Sequence, residues 1–220
     1  MALAIFDLDN TLIQGDSDHA WGEFLVSESL VDKAEMAAVN DRFFNQYQNG
    51  TLNIQEYLEF ALAFLTGKTP SDLAPLHAQF MSNVIEPIIL PDAEALIKKH
   101  ENAGDTLLII TATNRFVTEP IAQRLGINHL IACEPELING IYTGKATGTP
   151  SFQHGKVERL QSWLKEQQIS LDGAWFYSDS HNDLPLLEQV DNPVAVNPDA
   201  RLQAIAISRG WEILDLRTNS

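Results

Sequence analysis

The stretch Ala2-Leu3-Ala4-Ile5-Phe6-Asp7-Leu8-Asp9-Asn10-Thr11 decides how the rest of the chain is read. A short apolar run stops at two carboxylates one residue apart. A run of this length, bounded by polar turn residues, is the pattern of a buried parallel strand. Its C-terminal end is where open α/β sheets place ligand chemistry. A carboxylate there serves as a nucleophile or a metal ligand. The i, i+2 spacing lets Asp7 and Asp9 face one site only if the chain leaves the extended state just after Asp7. Otherwise the stretch is an acidic loop that binds nothing.

The chain has 220 residues, 45% hydrophobic and 20% charged. That suffices for a sizeable core, as one domain with an insertion or as two small ones. The formal net charge of -16 repels a phosphate backbone and argues against nucleic acid as a partner. A small anionic ligand would need a local cation. The single cysteine, Cys133, ends an apolar run and reads as a buried, inert thiol. The first apolar run meets Asp7 too soon for a signal peptide. No apolar stretch is long enough to cross a bilayer, so a cytoplasmic protein without a membrane partner is expected. The sequence specifies no oligomeric state.

From His19 to Ile85 the apolar residues recur at helical spacing, which predicts helices over 19–30, 32–48, 53–65 and 71–85. Asn53 and Ser71 are candidate N-caps. Beyond Pro87 strands and helices alternate. Strands are expected at 106–110, 130–133, 174–177, 193–196 and 211–214. Helices are expected at 92–102, 115–125, 155–167, 183–190 and 199–208. A hairpin is expected over 136–145 around Asn139-Gly140. The expected fold is α/β: a doubly wound, Rossmann-like parallel sheet core (1–15 and 87–220) with an inserted four-helix cap (16–86).

The chemistry-bearing residues recur at the C-terminal ends of expected strands or on the helix behind them. They are Asp7 and Asp9, Thr111, Lys156, and Asp179 with Asp183. In a doubly wound sheet these ends converge on one crevice. Several carboxylates, one hydroxyl and one lysine suit phosphoryl transfer, in which catalysis is mainly positioning and charge compensation. Packing the aspartates together without a cation is strongly unfavourable, and a hard divalent ion that keeps some waters, Mg²⁺, relieves it. Asp7 can then attack a phosphate, while Asp9 protonates the leaving alkoxide and later deprotonates water. A phosphotransferase, or a non-catalytic phosphoacceptor module, would use the same scaffold. The latter would leave Asp9 without a role.

These residues, in this order, resemble the haloacid dehalogenase-like (HAD) superfamily along the whole chain. Asp7-Leu8-Asp9-Asn10-Thr11 is similar to its first motif, Thr111 to its second, Lys156 to its third, and Asp179 to Asp183 to its fourth. The resemblance implies Asp7 as nucleophile, Asp9 as general acid and base, and Thr111 and Lys156 as phosphate partners. It implies Mg²⁺ held by the Asp7 carboxylate, the Asp9 carbonyl and Asp179, with Asp183 in support. A helical insert between the first and second motifs is similar to the cap of the branch containing the phosphoserine phosphatases. Asn10 and Ser178 depart from the family pattern, standing where glycine is usual.

The cap should select the substrate. Asp16 lies near where phosphoserine phosphatases carry a glutamate for the substrate amine. Glu59 stands where the resemblance places an arginine for the substrate carboxylate, while Arg42 could still supply that charge. The stretches Thr113-Asn114-Arg115-Phe116 and Gly148-Thr149-Pro150-Ser151-Phe152 resemble those of histidinol-phosphate phosphatases, and Thr113 and Asn114 are candidate pocket residues. A cationic substrate without a carboxylate fits the acidic cap. L-histidinol phosphate is therefore the first expectation and phosphoserine the second. His181 is expected at the pocket rim or in solvent, an imidazole being a poor ligand for Mg²⁺.

Overall fold

The computed structural model describes residues 2–217. Strand β1 (Leu3–Phe6) is buried along its whole length at the centre of a seven-stranded sheet, ordered β4-β3-β2-β1-β5-β6-β7. The others are β2 (Thr106–Asn114), β3 (His129–Ile138), β4 (Ile141–Thr147), β5 (Trp175–Ser178), β6 (Asn192–Val196) and β7 (Glu212–Leu214). All neighbours run parallel except β3 and β4, which form the expected hairpin around Asn139-Gly140. Both turn residues take positive φ, the conformation that tight hairpin turns require.

Alternate residues of β1 serve opposite faces, as the pleat dictates. Ala4 and Phe6 join Ile109, Tyr177 and Val194 under α5 (Pro91–Ala103) and α6 (Arg115–Arg124). Leu3 and Ile5 join Leu108, Phe176, Leu160 and Leu202 under α7 (His154–Gln167) and α9 (Ala200–Arg209). A strand buried on both sides needs the continuous apolar run seen in the sequence.

Between β1 and β2 lie α1 (Ser17–Ser27), α2 (Lys33–Asn49), α3 (Ile54–Leu62) and α4 (Pro70–Phe80). The chain enters and leaves this insert through two passes that pair at Ile13 and Ile89, with the Gln14 N–H donating to the Ile88 carbonyl at 2.7 Å. A third apolar cluster ties the insert to the hairpin. Leu58, Leu62, Leu65 and Leu73 pack on Cys133 and Tyr142. Gly144, at φ +81°, lies so close to the insert that a Cβ there would come 2.1 Å from Thr66 Oγ1.

The structure corrects several expected boundaries. Asn53 caps α3, but Thr69 and not Ser71 caps α4, through a reciprocal capping box with Asp72 and with Pro70 in the first turn. The helix expected to reach Ile85 ends at Phe80 and continues as a π turn (Met81–Ile85) and a 3₁₀ turn (Glu86–Ile88). The helix expected over 183–190 is a 3₁₀ turn (His181–Asp183) followed by α8 (Leu184–Leu187). Strand β2 runs to Asn114, with its register against β3 shifting after Ile110. Among the described residues no helix is long and apolar enough to cross a membrane.

Candidate active site

Asp7 follows the last residue of β1, its N–H donating to the Tyr177 carbonyl at 2.8 Å. The chain then leaves the extended state. The Leu12 N–H donates back to the Leu8 carbonyl at 2.9 Å, and the Asn10 N–H to the Gly15 carbonyl at 2.8 Å. Asn10 sits at φ +56°, a region that asparagine tolerates better than most side chains. This turn brings both Asp7 and Asp9 to the wall of one cavity of about 600 Å³, enclosed between the sheet ends and the helical insert.

Lys156 is 2% exposed. Its Nζ donates to Asp7 Oδ1 and Asp183 Oδ2, both at 2.8 Å. The start of α7 sets its position: a Cβ on Gly155 would come 2.0 Å from the Pro150 carbonyl oxygen, so the turn before Lys156 closes only around glycine. Ser178, in place of the usual glycine, donates its hydroxyl to Asp183 Oδ2 at 2.7 Å. Asp183 is thus held from two sides. Asp9 is held from the other flank, by the Ser17 N–H at 2.6 Å and the Thr113 hydroxyl at 2.8 Å. The Thr111 hydroxyl lies 3.4 Å from Asp9 Oδ2 and accepts from the Thr113 N–H at 3.1 Å.

Charge is concentrated here with little compensation. Burial, opposed by Lys156 and reinforced by Asp183 and Asp9, lifts the Asp7 carboxyl to about 7. Burial and the neighbouring Asp16 lift Asp9 to about 6, against the bonds from Ser17 and Thr113. Asp179 lies well above the ordinary carboxylate range through burial and the charges of Asp7 and Asp183, with Lys156 opposing. Among the described residues no three carboxylate, imidazole or thiol side chains are already drawn into a closed metal cage. The donors are nonetheless all oxygen and short of positive charge, which fits an ion that takes one or two carboxylates and keeps its waters, as Mg²⁺ does.

The cap candidates divide. Asp16 lines the cavity and caps α1, accepting from the Asp18 and His19 N–H groups at 2.9 Å each. Asp18 lines it too and is 9% exposed. Its Oδ1 accepts from Asn114 Nδ2 at 3.0 Å and its Oδ2 from the Tyr57 hydroxyl. Thr113 lines the cavity, whereas Asn114 lies behind Asp18 and caps α6. Glu59 and Arg42 are exposed and outside the cavity wall. The Arg42 guanidinium rests 4.4 Å above the Phe43 ring. Arg115 turns away to Glu134 and Glu119. His181 is not at an open rim: its Nδ1 pairs with Asp199 at 2.8 Å. Cys133 is buried, and burial pushes its thiol up to about 11.

Some residues here carried no sequence signal. Tyr47 donates its hydroxyl to Ser180 at 3.0 Å, and its carbonyl accepts from Asn182 Nδ2 at 3.3 Å. Gln153 braces Asn182 at 3.0 Å. Ser17 contributes a backbone N–H, which any residue type would provide.

A model of the haloacid dehalogenase-like hydrolase family matches residues 4–188. A histidinol-phosphatase of Neisseria meningitidis is 47% identical over 98% of this chain and 99% of its own length. The phosphoserine phosphatase SerB1 of Mycobacterium tuberculosis is 32% identical over 98% of this chain and 71% of its own. A crystal structure of a Bordetella pertussis protein of unknown function superposes with a TM-score of 0.91 at 44% identity, over 98% of both chains.

Proposed function

The chain belongs to the haloacid dehalogenase-like hydrolases, and from that premise we propose that it is a Mg²⁺-dependent phosphomonoesterase acting through an aspartyl-phosphate on L-histidinol phosphate. The inserted helices act as the cap over a core formed by the sheet and its flanking helices.

Asp7 presents one oxygen to Lys156, leaving Oδ2 to attack phosphorus. The P–O bond to the substrate alkoxide breaks as the Asp7–phosphate bond forms. Asp9, lifted to about 6, carries a proton in part of the population near neutrality and delivers it to the departing oxygen. As a carboxylate it then takes a proton from water, whose oxygen attacks the aspartyl-phosphate and releases inorganic phosphate and Asp7. Ser17 and Thr113 hold Asp9 in place for both transfers. Lys156 stays charged throughout and balances Asp7 and the phosphoryl oxygens, while Thr111 supplies a hydroxyl to one of them. Mg²⁺, on Asp7, the Asp9 carbonyl and Asp179 with Asp183 outside, would supply the positive charge that the phosphoryl group requires.

One observation carries the choice of substrate. Among the described residues lining the cavity there is one lysine, committed to Asp7 and Asp183, and no arginine, while Asp16 and Asp18 face inward. Beyond that lysine a substrate carboxylate would find only the His19 imidazole, which stands beside Asp16, whereas an ammonium finds the two carboxylates of Asp16 and Asp18. Phosphoserine is disfavoured on this ground, despite the similarity to a phosphoserine phosphatase. The test is kcat/KM on L-histidinol phosphate and on phosphoserine with Mg²⁺ present. A preference of about tenfold or more for histidinol phosphate is expected, being worth only about 1.4 kcal/mol. Equal or reversed preference would refute the assignment.

A further inference from the structure

We propose that the Asp18 carboxylate is the group that reads the far end of the substrate, accepting an N–H from its imidazole ring. This rests on the substrate reading above and adds a residue and a contact to it. Asp18 takes no part in the phosphoryl chemistry, yet it is a nearly buried carboxylate on the wall of the reaction cavity. Two cap and sheet residues orient it. Asn114 Nδ2 donates to Oδ1 at 3.0 Å and the Tyr57 hydroxyl donates to Oδ2. A carboxylate has about four acceptor positions, so two remain.

The surroundings are those of a ring site. Phe43 meets Tyr57 edge-on with centroids 5.3 Å apart and stands 5.6 Å from Phe60, and all three line the cavity. Trp21, three residues beyond Asp18 and therefore on the same face of α1, lines it as well. Its ring backs that wall from the core, packed edge-on against Phe64 and Phe80. Asp16 and Asp18 divide the work. Asp16 directly precedes Ser17, whose N–H holds Asp9 Oδ1 at 2.6 Å, so it stands beside the phosphoryl chemistry. In an amino-alcohol phosphate the amine is one carbon from the ester CH₂, which assigns the amine to Asp16. Asp18, tied to Tyr57 and the aromatic wall, is left for the ring.

The experiment compares kcat/KM for L-histidinol phosphate with L-phenylalaninol phosphate, which keeps the amine and ester but replaces imidazole by phenyl. Asp18→Asn should lower the ratio of the two by about tenfold, since it removes a charge-assisted acceptor that only one substrate uses. A ratio within twofold of the wild type would overturn the inference. Should the variant fail to fold, the wild-type enzyme answers alone, with histidinol phosphate methylated at either ring nitrogen. At least one isomer should lose about tenfold or more; two isomers each within twofold of the parent would overturn it. Failure of the wild type to turn over either amino-alcohol phosphate, while releasing phosphate from p-nitrophenyl phosphate, would remove the substrate reading itself, and this inference with it.

Discussion

Asp7→Asn should abolish turnover and at the same time stabilise the metal-free fold. Asp7 is 6% exposed, and its carboxyl is raised from 3.8 to about 7, chiefly by burial. A carboxyl raised on folding contributes its full stability below its unfolded pKa and loses it as pH rises through the folded value. The window is therefore 3.8 to about 7. Across it the native state gives up about 4 kcal/mol, at about 1.36 kcal/mol per pKa unit. The lost attraction to Lys156 is already contained in that figure, being one of the causes that lower the pKa. An asparagine mimics the neutral acid, and its imperfect fit leaves a gain of about 2 to 4 kcal/mol at pH 8. For a chain of this size that raises Tm by roughly 5 to 10 °C. Thermal melts in chelator should show this gap at pH 8 and its shrinkage by roughly 2 to 3 kcal/mol at pH 5. Mg²⁺ should then close it by binding the wild type more tightly. A variant less stable than wild type at pH 8 without metal would refute the reasoning, as would phosphate release at the wild-type rate.

Lys156→Met leaves Asp7 and Asp183 buried without their shared cation and should cost about 3 to 5 kcal/mol, read by denaturant unfolding, with loss of turnover. Gly155→Ala forces the turn before Lys156 apart and should cost about 1 to 3 kcal/mol, with kcat falling more than KM rises. Asp9→Asn should slow alkyl phosphates by about 10² to 10⁴. With p-nitrophenyl phosphate, whose leaving group needs no proton, it should release one equivalent of nitrophenol in a burst and then stall. Glu59→Arg and Arg42→Ala lie outside the cavity and should leave substrate preference within about twofold, surface changes being small as a rule.

What could be read in the sequence follows from how locally each feature is encoded. The β1 run ending at Asp7, and the Asn139-Gly140 turn, are set by a few adjacent residues, and both stand where the sequence places them. The capping box of α4 is equally local, but Pro70 in the first helical position moves the cap to Thr69. Side-chain direction within the insert is not local. On α3, Tyr57, Phe60 and Ala61 face the cavity while Leu58 and Leu62 face the hairpin, and Glu59 falls between these faces into solvent. Helical periodicity reveals two apolar faces but not which one meets the substrate. Similarly, the expected strand stops at 110, whereas β2 runs on to Asn114 and sets Thr113 at 2.8 Å and Thr111 at 3.4 Å from Asp9 Oδ2.

The cluster of Leu58, Leu62, Leu65, Leu73, Cys133 and Tyr142 moors one half of the helical insert to the hairpin. Among the described residues the C-terminal end of α2 meets the sheet side more lightly, through the Tyr47 hydroxyl on Ser180, the Asn182 amide on the Tyr47 carbonyl, and the Tyr47 ring 6.2 Å from that of Phe152. Swinging that end outward breaks two hydrogen bonds and one ring contact, at about 3 kcal/mol in all. A doorway at that cost stands ajar in roughly half a per cent of molecules at any instant, and it belongs to α2.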